Sequence, residues 1–372
     1  MSSLSTGARL PLGRRSRNRY WRTVTAYREK LALVTSPHRW LALAGFAVVW
    51  LWAVFGLGDY DLSLACLVGI GMLGAISQNV LIGYAGQISL GMAGFLAAGA
   101  FTLAIMVREL GITSPLLTLP AAAVVGGLLG VIVGLPSLRV KGLYLAVSTL
   151  ALFFVISYAT GQYQHDATGG AGVLIQDPVL FGWEIDSQRE WVVALSALVL
   201  LFTIASLNLK RSRAGRAWMA IRDRDVAALA LGVNLARYKI LAFVLSSSAA
   251  AVVGAVDSYY SGFVAADKYT FLLTIQYVAM IVIGGLGSTL GALLGAAFVV
   301  LLPHGIDAAF DTLGFVSLDD DVLFPIQFAL FGVLMIVFLV AEPLGLVGMW
   351  QRVKAYFDQW PFRATHRTVV ER

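Results

Sequence analysis

Charged residues and cysteine are scarce in this chain. Asp, Glu, Lys and Arg make up 13% of its 372 residues, whereas hydrophobic residues make up 59%. Soluble domains are about 25% charged. The charges are missing from long continuous apolar runs, which predicts an all-α, polytopic transmembrane helical bundle and not the alternating pattern of a β-barrel. The single cysteine, Cys66, permits neither an internal disulfide nor a thiolate metal site.

Signatures of catalysis and of cofactor binding are missing as well. No P-loop motif occurs, and the GxGxxG spacing of Gly69, Gly71 and Gly74 lies in an apolar run with no strand before it. The four histidines are far apart in sequence. We therefore expect no enzyme activity, no metal and no cofactor on this chain. Asp257 is the main ionisable residue inside a run, which argues against an ion-driven carrier with mid-membrane carboxylates.

Ten apolar runs have the length, or nearly the length, of a membrane span. A core of ~30 Å needs about 20 helical residues. The runs fall at about 40–58, 62–82, 88–107, 116–135, 142–160, 191–207, 240–260, 272–285, 289–302 and 323–341. The pair at 272–302 is short, so we expect ten spans, or eight with a re-entrant hairpin. A transmembrane domain at 40–341 then lies between tails at 1–39 and 342–372.

The distribution of basic residues predicts the orientation. With both termini cytoplasmic, the inner segments carry 24 of the 27 Lys and Arg residues and the outer segments carry 3. The inner segments are 1–39, 136–141, 208–239 and 342–372. The positive-inside rule makes this asymmetry decisive. Because the net charge of +6 lies in these topological segments, it does not indicate nucleic-acid binding.

A polar island at 208–239 separates two apolar runs. It holds eight Lys or Arg residues and two acids, and its apolar residues recur at helical spacing: Val226, Leu229, Ala230 and Val233. We expect one short cytoplasmic helix that docks another protein, ended by Gly232, with Asn234 capping the next span. A charged rim would set the register, formed by Arg222, Asp223, Arg224 and Asp225. An ordinary helix lying on the membrane surface is the alternative.

An uncharged polar cluster lies within apolar sequence at 78–91. Buried amides and hydroxyls need partners in a membrane, so these residues either form hydrogen bonds between helices or line a path for a polar solute. The candidate path residues are Gln78, Asn79, Gly83, Tyr84, Gly86, Gln87 and Ser89. The stretches 81–91 and 282–291 are weakly alike, which suggests an internal repeat of the kind found in transporters.

Several glycines recur at helical spacing, as in close helix contacts. Close helix contacts are expected along two ladders with a four-residue period: Gly126, Gly130 and Gly134, and Gly287, Gly291 and Gly295.

The segment 161–190 is expected to be an outer loop. Its polar turn at Thr168, Gly169 and Gly170 is a candidate for the outer mouth of a path.

Five blocks of sequence, in order, resemble the permease subunits of ABC importers for branched-chain amino acids. They are GYAGQISLGMAGF at 83–95, GLYLAVSTLA at 142–151, TGGAGVL at 168–174, GRAWMAIRDRDVAALALGVNLARYKILAF at 215–243 and IGGLGSTLGALLGAA at 283–297. The resemblance runs from about 60 to 340. It implies one transmembrane half of an importer in a bacterial plasma (inner) membrane.

The resemblance also implies partners and a solute. The partners are a second homologous permease, two cytoplasmic ABC ATPases that hold ATP and Mg²⁺, and an extracytoplasmic solute-binding protein. The solute is a branched-chain or other hydrophobic amino acid. Urea, amides or small carboxylic acids are the alternative within this class, and an ion-coupled secondary carrier is the alternative outside it.

The family's cytoplasmic loop resembles EAA-x3-G, a helix that fits a cleft of the ATPase. Ala227, Ala228 and Gly232 match the alanines and the glycine. Val226 stands at the Glu position, with Asp225 one residue earlier, so the contacts of that Glu are not carried over. Met92 stands where the family has His after GQISLG and joins the candidate path residues.

The first prediction concerns orientation. In a Cys66→Ser background, single cysteines within 164–188 should react with an impermeant thiol reagent in intact cells, because the charge asymmetry places this segment outside. Ser212→Cys and Asp225→Cys should react only after the cells are opened. Strong labelling of either residue from outside would overturn the orientation.

Overall fold

The computed structural model describes residues 58–313, apart from residues 141 and 181–182, together with residue 56 and short helical stretches between 326 and 352. The N-terminal tail lies outside the described residues. So do nearly all of the predicted run at 40–58 and most of the sequence from 314 to 372.

Ten α-helices make up most of the described part. They are α1 (Asp59–Asn79), α2 (Met92–Leu110), α3 (Pro115–Gly134), α4 (Leu143–Thr168), α5 (Gln188–Arg211), α6 (Arg213–Asp223), α7 (Asp225–Ala230), α8 (Leu235–Ser261), α9 (Phe271–Gly284) and α10 (Thr289–Leu313). A π-helical turn, Val80–Tyr84, extends α1, and 3-10 turns lie at Pro136–Leu138 and Ala266–Lys268.

Eight of the helical segments are long and apolar enough to cross a membrane, by length and composition. They are Asp59–Tyr84, Met92–Leu110, Pro115–Leu138, Leu143–Thr168, Gln188–Arg211, Leu235–Ser261, Ala266–Gly284 and Thr289–Ile306. Each matches one of the eight middle apolar runs. The run expected at 289–302 is longer than predicted, because α10 continues through Pro303 to Leu313. The described part is thus a polytopic helical bundle.

Helix α1 lies at the centre of the bundle. It packs against α5, α8, α9 and α10, and its C-terminal half is almost entirely buried. The outer helices α3, α4 and α5 instead expose long apolar side chains such as Leu128, Phe154 and Leu200. In water this surface would be unfavourable, whereas in a membrane it faces lipid or a partner helix.

The first predicted glycine ladder is confirmed as a close helix contact. Helix α3 packs along α8, and a Cβ at Gly126 would lie 2.5 Å from the carbonyl oxygen of Ser247. A Cβ at Gly130 would lie 2.9 Å from Val244 Cα, and one at Gly134 would lie 3.2 Å from Ile240 Cα. The three glycines therefore let the two backbones approach to a distance that larger residues forbid.

The second ladder is only partly helical. Gly291 and Gly295 lie on α10 and meet the backbone of α9 at Gly284. Gly287 was expected on the same ladder, but it lies in the turn before α10 with φ of 78°. The prediction is wrong for Gly287, since its backbone conformation is not helical.

The outer loop is shorter and more ordered than the predicted segment 161–190. Helix α4 continues to Thr168, because the polar residues Gln162, Gln164 and His165 extend the last turns of the helix. Three two-residue strands lie in this loop: β1 (Val173–Leu174), β2 (Val179–Leu180) and β3 (Trp183–Glu184). A fourth, β4 (Phe263–Val264), follows α8. They form two antiparallel pairs, β1 with β4 and β2 with β3.

The second prediction tests the packing of α3 on α8. Gly130→Leu should lower the yield of folded protein, because overpacking a close contact costs about 1–3 kcal/mol. Val124→Leu on the same helix is the matched control, since Val124 is 62% exposed. The measurement is the monodisperse fraction after solubilisation. Equal yields would show that this contact is not essential.

Candidate functional site

The polar cluster of the sequence lies where α1 unwinds into its connection with α2. The π-helical turn ends at Tyr84, Gly86 has φ of 66°, and the chain then runs without helix until Met92 begins α2. Two features favour glycine at residue 86: its positive φ, and the approach of Arg222, whose Cγ would lie 2.8 Å from a Cβ there. The turn therefore ends the helix ladder of α1, and buried residues such as Gln87 and Ser89 alternate there with the exposed Gly86 and Ile88.

Neighbouring side chains satisfy the polar groups of this unwound segment, which we call the α1 break (residues 83–91). Gln78 Nε2 donates to the Ser89 carbonyl over 3.1 Å, and the Leu90 amide donates to Thr149 Oγ1 over 2.8 Å. At the start of α2, the Ala93 amide donates to Thr274 Oγ1 over 2.9 Å. A side chain of α1 itself and side chains of two other helices, α4 and α9, thus replace the bonds that α1 gives up, as an irregular backbone in a membrane protein requires.

A second break faces the first. It is the turn 285–288 between α9 and α10, which we call the α9 break. Asn79 Oδ1 accepts from the Gly287 amide over 3.1 Å, and Tyr84 Oη lies 2.7 Å from Thr289 Oγ1. The two breaks lie within the stretches 81–91 and 282–291 that were weakly alike in sequence. Their contact is established here, whereas the internal repeat stays a prediction.

Two cations from the polar island reach the carbonyl groups of the two breaks. Lys210 Nζ, at the end of α5, donates to the Gly287 carbonyl over 2.9 Å and lies 5.6 Å from the centre of the Tyr84 ring. Arg222, on α6, donates from its guanidinium to the Gly83 carbonyl and also lies against Gly287. The polar island is therefore bonded directly to both breaks.

The candidate path residues divide into two groups. Gln78, Asn79, Tyr84 and Ser89 are buried and each takes part in a hydrogen bond inside the bundle, and Met92 is fully buried. Gln87 is also buried, at 5% exposed, but neither polar atom of its amide has a partner within the described residues, whereas Asn79 lacks a partner at Nδ2 alone. The contacts thus favour a structural role for the first group and leave Gln87 for a ligand or water.

The polar island is organised as two helices and not as the single helix expected. Ser212 caps α6 by accepting from the Gly215 amide over 3.2 Å, and the extended backbone of Arg224 separates α6 from α7. Val233 was expected on the apolar face of one helix, but it lies beyond the end of α7. The prediction fails there because α7 has only six residues before its cap.

The end of α7 agrees with the role predicted for Gly232. Gly232 has φ of 81°, the Val233 amide donates to the Ala228 carbonyl over 3.0 Å, and the Gly232 amide donates to the Leu229 carbonyl over 2.9 Å. These two bonds form a Schellman cap. The next residue, Asn234, accepts from the Arg237 amide over 3.1 Å and caps α8, as predicted.

The exposed surface of α7 is apolar. Val226, Leu229 and Leu231 are 78%, 59% and 81% exposed, although they lie outside the candidate spans. Ala227 and Ala230 are exposed beside them, whereas Ala228 is buried against the chain itself. We call Val226, Leu229 and Leu231 the loop patch.

The charges around α7 do not all form a rim. Arg222, Asp223 and Arg224 are exposed, as a rim requires. Arg222 also bonds to Gly83, and the half-buried Asp225 forms an ion pair through Oδ2 with Nζ of the buried Lys239 over 3.1 Å. Two of the four predicted rim residues therefore also hold the loop onto the bundle, and Asp225 is not fully at the surface.

A cavity of about 140 Å³ lies between the polar island and the α1 break. Gln87, Arg222, Asp225 and Lys239 line it, together with residues from the turn between α3 and α4. The inner segments predicted at 136–141 and 208–239 therefore meet at this cavity. The opposite end of the bundle joins predicted outer segments, since Lys268 Nζ pairs with Asp257 Oδ2 over 2.8 Å.

The candidate outer turn is held at that opposite end. Thr168 ends α4, and Gly169 and Gly170 follow with φ of 67° and 96°. Gln164 Nε2 donates to the Gly170 carbonyl over 2.8 Å, and its Oε1 accepts from the Ala266 amide over 2.7 Å. This bridge fixes the turn against the start of α9.

Sequence reasoning missed several residues of the site. Lys210, Lys239 and Leu231 were not singled out, and neither was Trp218, which is fully buried and donates to the Tyr238 carbonyl over 2.7 Å. A tryptophan within a basic, polar segment was the available signal for an anchor on the bundle. Nothing local distinguished Lys239, whose partner Asp225 is fourteen residues earlier.

Eight long apolar helical segments, two pairs of which are joined by short hydrogen-bonded connections, define a class of protein: a multi-pass membrane protein. The comparisons with known proteins give the family. A family profile described as the permease component of the branched-chain amino acid transport system matches residues 62–340. The chain belongs to this family and is a multi-pass, inner-membrane permease component.

Individual relatives agree with the family. The high-affinity branched-chain amino acid transport system permease protein LivM of Salmonella typhimurium is 32% identical over 286 residues, and that of Escherichia coli is 31% identical over 286. Each alignment covers 70% of this chain and 66% of the relative. A probable LivM of Methanocaldococcus jannaschii is 24% identical over 78% of this chain and 86% of its own length. No solved structure matches the chain significantly.

The third prediction concerns the bond between α6 and the α1 break. Arg222→Gln should lower the free energy of unfolding by about 1–3 kcal/mol, because the Gly83 carbonyl loses its charged donor. Arg224→Gln is the matched control on an exposed neighbour and should change it by about 0.5 kcal/mol or less. The measurement is the apparent unfolding temperature of the purified chain. Equal temperatures would mean that Arg222 does not hold the break.

Proposed function

We propose that this chain is one transmembrane half of an ATP-binding-cassette importer for branched-chain or other hydrophobic amino acids. The proposed assembly contains a second homologous permease, two cytoplasmic ATPases and an extracytoplasmic binding protein. ATP and Mg²⁺ bind to the ATPases, and this chain binds no cofactor of its own. Both termini and the polar island 208–239 lie in the cytoplasm, on either side of a transmembrane domain at 40–341.

The loop patch is the observation that carries this proposal. An exposed leucine in water is ordinary, but three large apolar side chains on one short capped helix are typical of a docking surface. Asp223 and Arg224 are exposed beside them and supply charges for register. The alternative of a helix lying on lipid is weaker, because α7 has six residues and lacks a basic face of its own.

The two breaks connect this docking surface to the interior of the bundle. Arg222 joins α6 to Gly83, and Lys210 joins the end of α5 to Gly287. A displacement of the loop by an ATPase therefore pulls on the non-helical connections that follow α1 and α9. In this proposal that coupling opens and closes the path, and the ATPases supply the free energy.

The solute class is supported by the family and by the charges of the interior. The hydrogen bonds of the Gln78, Asn79 and Tyr84 side chains involve no charged group, although Lys210 Nζ lies 5.6 Å from the centre of the Tyr84 ring. Asp257, the main ionisable residue of a span, is paired with Lys268 and not available as an ion site. Both observations favour import driven by ATP over an ion-coupled carrier. Urea, amides and small carboxylic acids remain competitors to be tested against leucine.

The fourth prediction tests docking. Leu229→Glu should leave the protein in the membrane at its normal level, since the side chain is 59% exposed and lies outside the candidate spans. Co-purification of the ATPase and ATP-dependent leucine uptake should both fall at least tenfold, because a charge replaces an apolar anchor. Gly232→Val should act in the same direction, since a β-branched residue at φ of 81° costs roughly 1 kcal/mol or more.

Leu229→Met is the matched control and should retain docking and uptake, because it keeps an apolar side chain of similar size. Ala228→Glu is unsuitable as a test, since Ala228 is buried and the change would disturb the loop itself. The measurements are membrane abundance by blot, ATPase recovery and uptake of labelled leucine with urea and acetamide as competitors. Normal uptake by Leu229→Glu would disprove the docking role. Uptake of urea in place of leucine would move the solute to the alternative class.

A further inference from the structure

The cavity between the polar island and the α1 break has the composition of a ligand site. It lies where residues 85–87 meet two other groups: Ser137, Val140, Gly142 and Leu145 from the α3–α4 connection and the start of α4, and Ile221, Arg222, Asp225 and Lys239 from the polar island. Its volume of about 140 Å³ is well below the ~300–1,000 Å³ of pockets for drug-sized ligands. A solute with few heavy atoms fits this space, whereas a nucleotide does not.

Gln87 is the first indication of a ligand. It lines the cavity, is 5% exposed, and neither its amide nitrogen nor its amide oxygen has a partner within the described residues. A buried amide without partners is unfavourable, so such a group calls for a bound ligand or water. The other buried amides of this region, Gln78 and Asn79, each make a hydrogen bond to the backbone, and Asn79 lacks a partner within the described residues at Nδ2 alone.

The charges of the cavity are the second indication. The Arg222 guanidinium and the ion pair of Lys239 with Asp225 place both signs of charge on its wall. Apolar side chains stand beside them, from Val140, Leu145 and Ile221. Cationic donors suit a carboxylate, a carboxylate suits an ammonium group, and the apolar wall suits a hydrocarbon side chain.

We propose that this cavity is a binding site for a small zwitterion with an apolar side chain, a free hydrophobic α-amino acid. The solute class rests on the proposed function, and the site itself rests on the geometry of the cavity. The ligand carboxylate binds near Arg222 and Gln87, and its ammonium group binds near Asp225. Because this ligand contacts both the α1 break and the loop, it stabilises their association. Imported solute that binds here from the cytoplasmic side therefore changes the coupling between the loop and the bundle.

The experiment measures binding directly, in the absence of the binding protein. The full-length permease is purified with the ATPase subunits that accompany it, and its unfolding temperature is followed while leucine is added. Leucine should raise the temperature in a saturable way, because a ligand that binds only the folded state stabilises it. Isopentylamine lacks the carboxylate and 4-methylpentanoate lacks the ammonium group. Neither should reproduce the shift at the same concentration.

Two variants locate the site. Gln87→Leu should abolish the leucine shift by removing the unpartnered amide, and Val140→Phe should abolish it by filling the cavity. Ile132→Phe is the matched control, since Ile132 is 56% exposed and does not line the cavity, and it should keep the shift. If Gln87→Leu fails to fold, Val140→Phe decides the question. A shift that survives Val140→Phe would overturn this location.

The outcomes separate this site from the importer proposal. If reconstituted leucine uptake is normal but leucine gives no shift in the unaltered protein, the site is wrong and the importer proposal stands. If leucine raises the unfolding temperature and both Gln87→Leu and Val140→Phe abolish this rise, but leucine is not taken up, the site stands and the proposed solute of the importer is wrong. If Gln87→Leu instead removes the ATPase from the purified complex, the cavity receives an ATPase side chain and the amino-acid site is overturned.

Discussion

The need to satisfy backbone polar groups away from water governs this structure. The α1 break is buried at Ala85, Gln87 and Ser89, so backbone groups that leave the α-helix there need partners from the protein. Thr149, Thr274 and Gln78 supply partners from three directions. Because each of these side chains lies on a different element, the break can persist only when the whole bundle is assembled around it.

The same requirement links the interior to the polar island. The carbonyl groups of Gly83 and Gly287 accept from Arg222 and Lys210, two cations at the end of the bundle where the loop begins. A charged donor makes a stronger bond than a neutral one, and in a partly buried setting it is costly to break. The loop patch is therefore exposed on one side of a segment whose other side is bonded to the breaks. This arrangement is what a coupling element of the proposed importer requires.

Elements set by local sequence were predicted well. The eight middle spans follow from apolar length, the contact of α3 with α8 follows from the spacing of Gly126 and Gly130, and the cap at Gly232 follows from glycine's tolerance of positive φ. The predictions that were wrong depended on contacts between distant residues, which no local sequence pattern shows. Gly287 kept the four-residue period of its ladder, yet the approach of Asn79 and Lys210 holds it in a turn.

By itself, the sequence determined that this protein is a bundle of membrane-spanning helices with a basic, polar island between two of them, because hydrophobic length and charge placement act through local composition. Its blocks also determined the family. Only the tertiary structure decided what the polar residues do, because a hydrogen bond joins residues that are distant in sequence. It assigned Gln78 and Asn79 to packing, used Arg222 and Asp225 to anchor the loop, and left Gln87 without a partner at the wall of a cavity.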